Sequence, residues 1–278
     1  MRGVISRLNL RQRTITRIIL SIIVLIGIVS SGLLIDADRL SIDLEMKNSA
    51  PSLEHLFGTD WLGRDMLART LKGLTLSMSV GLLAAFFSTG IALFLALLAS
   101  WNKRMDQFVT WLIDLFLSVP HIVLLILISF ALGGGFNGVV IGLALTHWPS
   151  LTRLLRAEML QIKSAEYVGI SHRLGKSRLW IARHHIFPHL IPQLFIGFIL
   201  LFPHAILHEA AITFLGFGLS TEQPAIGVIL SESMRYLSTG LWWLAFFPGL
   251  SLLIMVALFD LLGKNLQTLL DPFHGQKR

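Results

Sequence analysis

Between Asp114 and Arg153 the chain carries no Asp, Glu, Lys or Arg. Uncharged apolar intervals also run from Ile18 to Ile35 and from Gly73 to Asn102. Stretches of this length hide every backbone polar group inside a helix when water is absent, because a bilayer offers no hydrogen-bond partners. The whole chain agrees: of 278 residues, 54% are hydrophobic and 14% charged, against roughly 25% charged in a soluble domain. We therefore read an all-α polytopic membrane protein. The absence of cysteine excludes a disulfide scaffold, thiolate metal sites and a cysteine nucleophile.

The interval from 114 to 153 is too long for one crossing at about 20 residues each. Gly133-Gly134-Gly135-Phe136-Asn137-Gly138 interrupts it, and such a run breaks a helix. Six transmembrane helices follow, at about 18–35, 74–101, 108–132, 139–155, 191–215 and 242–262. They form a domain over 18–272, between an N-terminus at 1–17 and a tail at 273–278. An outer loop occupies 36–73 and a basic loop 156–190. We expect the first helix to be retained, since its apolar run exceeds a signal-peptide core and no small-residue cleavage pattern follows.

Of the 23 Lys and Arg residues, 17 fall in the N-terminus, the second loop, the stretch from Arg153 to Arg183 and the end of the chain from Lys264 onward. Seven acids occupy the first loop. By the positive-inside rule both termini are cytoplasmic. The net charge of +7 is thus a topological signal, and no nucleic-acid partner is expected. The sequence around Gly175-Lys176-Ser177 ends like a phosphate loop, but position 170 is Ile where that motif requires Gly. No nucleotide site is expected in the chain.

Within the basic loop, Val168, Ile170, Leu174, Leu179, Ile181 and Ile186 recur at near-helical spacing, with Gly175 between two short segments. This predicts two amphipathic helices joined by a glycine turn, suited to anionic lipid or to a groove on a partner protein. Glu166-Tyr167-Val168, Leu174-Gly175, Ile186, Pro188 and Pro192 resemble the cytoplasmic "EAA" loop of importer-type ABC permeases. Phe57 through Asp65, Glu209 through Gly218, Phe247-Pro248-Gly249-Leu250 and Leu270-Asp271-Pro272 resemble the C-type permeases of the dipeptide/oligopeptide/nickel group, most closely the nickel type.

The resemblance implies a type I ABC importer permease in the inner membrane. Its partners would be a homologous second permease in a heterodimer, two cytoplasmic ATPase subunits and an extracytoplasmic substrate-binding protein. The chain itself would be no enzyme and hold no cofactor, ATP and Mg²⁺ belonging to the ATPases. Glu166, Tyr167, Val168, Gly169, Ile170, Leu174, Gly175, Ile186 and Pro188 are then the ATPase-coupling residues. The family's E-A-A triplet falls on Gly169-Ile170-Ser171, which removes an ionic contact at 169 and keeps the apolar docking face.

For the substrate path we select His147, His204, His208 and Glu209, because ionisable groups inside a membrane face a cavity or a partner. His204 and His208, spaced i, i+4, share one helix face and suit a divalent metal such as Ni²⁺. The expected cargo is nickel or a nickel/metal chelate, with di- or oligopeptides as the alternative. A stand-alone secondary transporter is the unlike-class rival, but the inverted repeats such a protein would show are not found.

Overall fold

The computed structural model describes residues 10–270; the expectations placed on residues 1–9 and 271–278, including Asp271-Pro272 and the tail, lie outside them. All regular elements among the described residues are helical, as expected. Helix α1 spans Leu10–Leu34, α2 Met66–Ala99, α3 Lys103–Ser118, α4 His121–Ala131, α5 Gly135–Ser164, α6 Glu166–Arg173 and α7 Arg178–Ile181. A π-helical turn at Ala182–Ile186 leads into α8, Phe187–Phe214, followed by α9 Ile226–Leu237 and α10 Trp243–Leu270.

Four segments are long and apolar enough to cross a membrane: 11–34, 66–99, 179–214 and 243–270. The expected third span is broken: α3 and α4 meet at 96° across Val119-Pro120, and they add a fifth crossing only where the bent pair is taken as one span. Proline has no N–H and forces the preceding residue out of the helical region, so the chain turns there. The expected fourth span is α5, which by length and composition alone does not qualify. Its centre carries Thr146, His147, Trp148, Pro149 and Ser150. It packs along α2, α4 and α8, and most of these central side chains are buried, so protein replaces lipid around them.

Gly133, Gly134 and Gly135 all hold positive φ (86°, 66° and 64°) and separate α4 from α5 as the glycine run predicts. The helix does not stop at the expected 155. Arg153 pairs with Asp114 of α3, Arg156 is forked onto Asp106, and the Lys163 Nζ donates to the Ser100 carbonyl at 2.5 Å. With these charges answered by α3 and the turn before it, α5 runs on to Ser164.

Three apolar clusters fill the molecule. One joins Ala92, Trp148, Leu155, Met159, Val168, Ile181 and Ile186, tying the α6–α7 segment to α2 and α5. A second joins Leu74, Phe202, Ile206, Leu244, Met255 and Phe259, and a third Val80, Leu125, Leu143, Ala205 and Ile212.

The outer loop is knotted around Asp60, which is fully buried. Its Oδ1 accepts from the Leu62 and Arg64 N–H groups at 2.8 and 2.9 Å. Its Oδ2 accepts from Arg64 Nε and Arg69 Nη1, both at 2.7 Å. Arg69 reaches onward to Glu232 of α9 at 2.8 Å and lies over the Trp61 ring. Asp65 caps α2 by accepting from the Ala68 N–H at 2.8 Å. Gly63, at φ 76°, admits no side chain, since a Cβ there would stand 1.6 Å from the Asp43 carbonyl oxygen. The Phe57–Asp65 motif therefore fixes the loop onto the bundle.

Candidate functional site

Two regions carry the residues singled out from the sequence. The first is the α6–α7 segment. Val168 and Ile186 turn inward and are buried in the first cluster. Glu166, Tyr167, Gly169, Ile170, Leu174, Gly175 and Pro188 are exposed. Leu174 is 73% exposed and Ile170 57%, a large apolar cost unless something covers them. Gly175 at φ 77° closes α6: its N–H bonds the His172 carbonyl at 3.0 Å and the Lys176 N–H bonds the Ser171 carbonyl at 3.1 Å. This is the Schellman arrangement, which calls for a residue without Cβ. The two helices with a glycine turn are thus as expected.

The segment is also held to the π-helical turn that precedes α8. Ser171 Oγ lies 2.9 Å from His185 Nε2, and the Tyr167 ring centroid lies 5.2 Å from that imidazole. Trp180 stacks on His184 at 4.2 Å. α6 is thus joined to α8 through the π-helical turn as well as through the apolar cluster.

The second region lies among α4, α5 and α8. His147 Nε2 approaches His208 Nδ1 at 3.2 Å, although the two residues are 61 apart in sequence. A third imidazole, His121 at the start of α4, completes the group: its centroid is 4.5 Å from each of the other two. His121 escaped sequence reasoning because it is isolated in the chain and becomes part of a cluster only through the break at Pro120. Its position directly after a proline inside an uncharged run was the available signal. His204 lies one turn before His208 and is exposed, outside the three-imidazole group.

Glu209 faces elsewhere. It is fully buried, and its Oε1 accepts from Thr213 Oγ1 at 2.9 Å. Thr213 Oγ1 in turn accepts the Leu219 N–H at 3.1 Å, so this chain of bonds pins the loop that leaves α8. The other carboxyl oxygen is buried without a hydrogen-bond partner.

With this geometry in place, comparison decides the family. The model of the binding-protein-dependent transport system inner membrane component matches residues 88–274. The chain belongs to that family. It is 32% identical over 230 residues to the dipeptide transport system permease protein DppC of Bacillus subtilis, covering 82% of this chain and 72% of that protein. It is 34% identical over 226 residues to the DppC protein of Alkalihalophilus pseudofirmus, covering 80% and 73%. Among solved structures, the MetNI methionine ABC transporter in an inward-facing form has the same fold. It superposes with a TM-score of 0.61 at 19% identity, over 74% of this chain and 98% of the other. The protein is a multi-pass inner-membrane permease of the ABC importer type, not a nucleotide-hydrolysing enzyme.

Proposed function

We propose that this chain forms half of the translocation path of an ATP-driven importer for di- or oligopeptides. The observation that carries the cargo class is that relatives matching four-fifths of the chain are named dipeptide permeases. A homologous permease subunit completes the path, and both termini face the cytoplasm. An apolar groove of about 980 Å³ between α2 and α8, lined by Phe86, Phe94, Leu145, Ile191 and Phe195, suits such a neighbour.

Of two ATPase subunits, which hold the ATP and Mg²⁺, one docks on this chain at the exposed face of Tyr167, Ile170 and Leu174, with Glu166, Gly169 and Pro188 at its rim, and the other on the second permease. Val168, Gly175 and Ile186 anchor and shape that face. Closure of the ATPases moves α6 and α7 as a unit, and the bundle passes between two discrete packings. An extracytoplasmic binding protein delivers cargo on the opposite side.

A second reading, passage of nickel or a nickel/metal chelate, draws on His208 and His147, with His204 one turn away on the same helix. Glu209 is better suited to holding the loop after α8 than to meeting cargo. The test is uptake of a radiolabelled dipeptide and of ⁶³Ni²⁺ by proteoliposomes holding the complete complex with its binding protein. ATP-dependent dipeptide uptake is expected. Uptake of nickel species alone would replace the first reading with the second.

A further inference from the structure

We propose that His121, His147 and His208 form a three-nitrogen site inside the membrane domain that binds a late first-row divalent cation of the Co²⁺, Ni²⁺ and Zn²⁺ class. One ring nitrogen from each of the three residues lies within 4.8 Å of the others. The three rings come from three different helices, so the cluster is a product of the fold. Ring centroids stand 4.5, 4.5 and 5.1 Å apart. A metal with bonds of about 2.0–2.1 Å to nitrogen needs its ligand atoms roughly 3.4 Å apart at tetrahedral angles. The His147–His208 pair already stands at 3.2 Å, and the His121 nitrogen, within 4.8 Å of both, has to move closer to take the third corner.

The hydrogen bonds prepare the ligands. His147 Nδ1 donates to the Leu143 carbonyl at 2.9 Å, which fixes the tautomer and leaves the Nε2 lone pair aimed at His208. A backbone carbonyl behind a ring N–H is the usual support of a metal-bound imidazole. His121 Nδ1 is buried and has no hydrogen-bond partner. A buried ring nitrogen without a partner is costly, and a bound cation satisfies it.

The donor set selects the ion. Three neutral imidazoles suit borderline metals, while Mg²⁺ and Ca²⁺ require oxygen ligands and no carboxylate belongs to the group. Three protein ligands leave a fourth position open, where water or an anionic oxygen of a passing molecule can bind. The inference concerns binding by this chain and stands whether the cargo is a peptide or a metal chelate.

The test uses the intact complex, purified through a tag without histidine and titrated with Co²⁺. One saturable Co²⁺ per complex is expected, with the visible absorption of a four-coordinate nitrogen-rich site, displaced by Ni²⁺ and removed by chelator. His121→Ala, His147→Ala and His208→Ala should each weaken binding tenfold or more. His204→Ala and the cytoplasmic pair His184→Ala/His189→Ala should leave it unchanged. X-ray absorption of the Ni²⁺-loaded wild-type complex counts imidazoles without any variant, and three are expected. Fewer than three, no saturable site, or equal loss in His204→Ala would overturn the proposal. Dipeptide uptake by the same preparation reads the transport function separately, so a failure of one is not mistaken for a failure of the other.

Discussion

Replacing Arg69 by Met tests whether the outer loop is held by the knot around Asp60. Arg69 is 96% buried and bridges two carboxylates, with Nη1 on Asp60 and Nη2 on Glu232 at 2.7 and 2.8 Å. Removing one partner of a buried pair costs about 3–5 kcal/mol, because the other charge stays buried. Asp60 would retain Arg64 Nε and two backbone N–H groups, so Arg69→Met belongs at the lower end, about 3 kcal/mol. Arg69→Lys keeps a charge but cannot span both carboxylates, and should cost about 1.5–3 kcal/mol, the value of one charged hydrogen bond. Asp60→Asn should be the most damaging change, since it leaves Arg64 and Arg69 competing for a neutral amide. Glu232 is partly exposed, and Glu232→Gln should cost about 1 kcal/mol or less. Tryptophan fluorescence during denaturation of the purified protein in mixed micelles reads these differences. A loss below about 1 kcal/mol for Arg69→Met would refute the buried clamp, as would an order in which Glu232→Gln costs more than Asp60→Asn.

Other consequences follow from the helix contacts. A Cβ at Gly227 would stand 2.5 Å from the Ala210 carbonyl oxygen and 2.7 Å from Thr213 Cβ, so Gly227→Ala should cost about 1–3 kcal/mol by overpacking α8 against α9. Gly27→Ala, where nothing lies within 4 Å, should stabilise α1 by about 0.5–1 kcal/mol in the same melts. Asp106→Asn breaks the two-pronged bond to Arg156, but both side chains are about a quarter exposed, so the loss should stay near 0.5–1 kcal/mol. Leu174→Asp should leave the melting of the chain unchanged and abolish its co-purification with the ATPases, because Leu174 touches solvent and not the core.

The course of the chain through the membrane was legible where chemistry is local. The glycine run at 133–135 announced the turn between α4 and α5, and Gly175 announced the end of α6. Helix α5 runs past the expected end at 155 because the charges of Arg153 and Arg156 are met by acids on α3, contacts no local pattern reveals. A proline at 120 permits a bend in the third span, but the 96° turn depends on what α3 and α4 each pack against. Polar residues in the middle of α5 suited a helix sheathed by protein, and sequence alone counted it with the lipid-facing spans. The histidines show the same divide. The i, i+4 spacing drew His204 and His208 together on paper, whereas the fold groups His208 with His147 and His121 from other helices.

ATPase stimulation in the reconstituted complex tests the permease assignment and its cargo together. The complex, with its binding protein, would be given dipeptides, longer peptides, Ni²⁺ and Ni²⁺ with histidine. Stimulation by peptides that disappears with Leu174→Asp is expected. Stimulation that survives omission of this chain would contradict its role as half of the path, and stimulation by nickel species alone would contradict the peptide cargo.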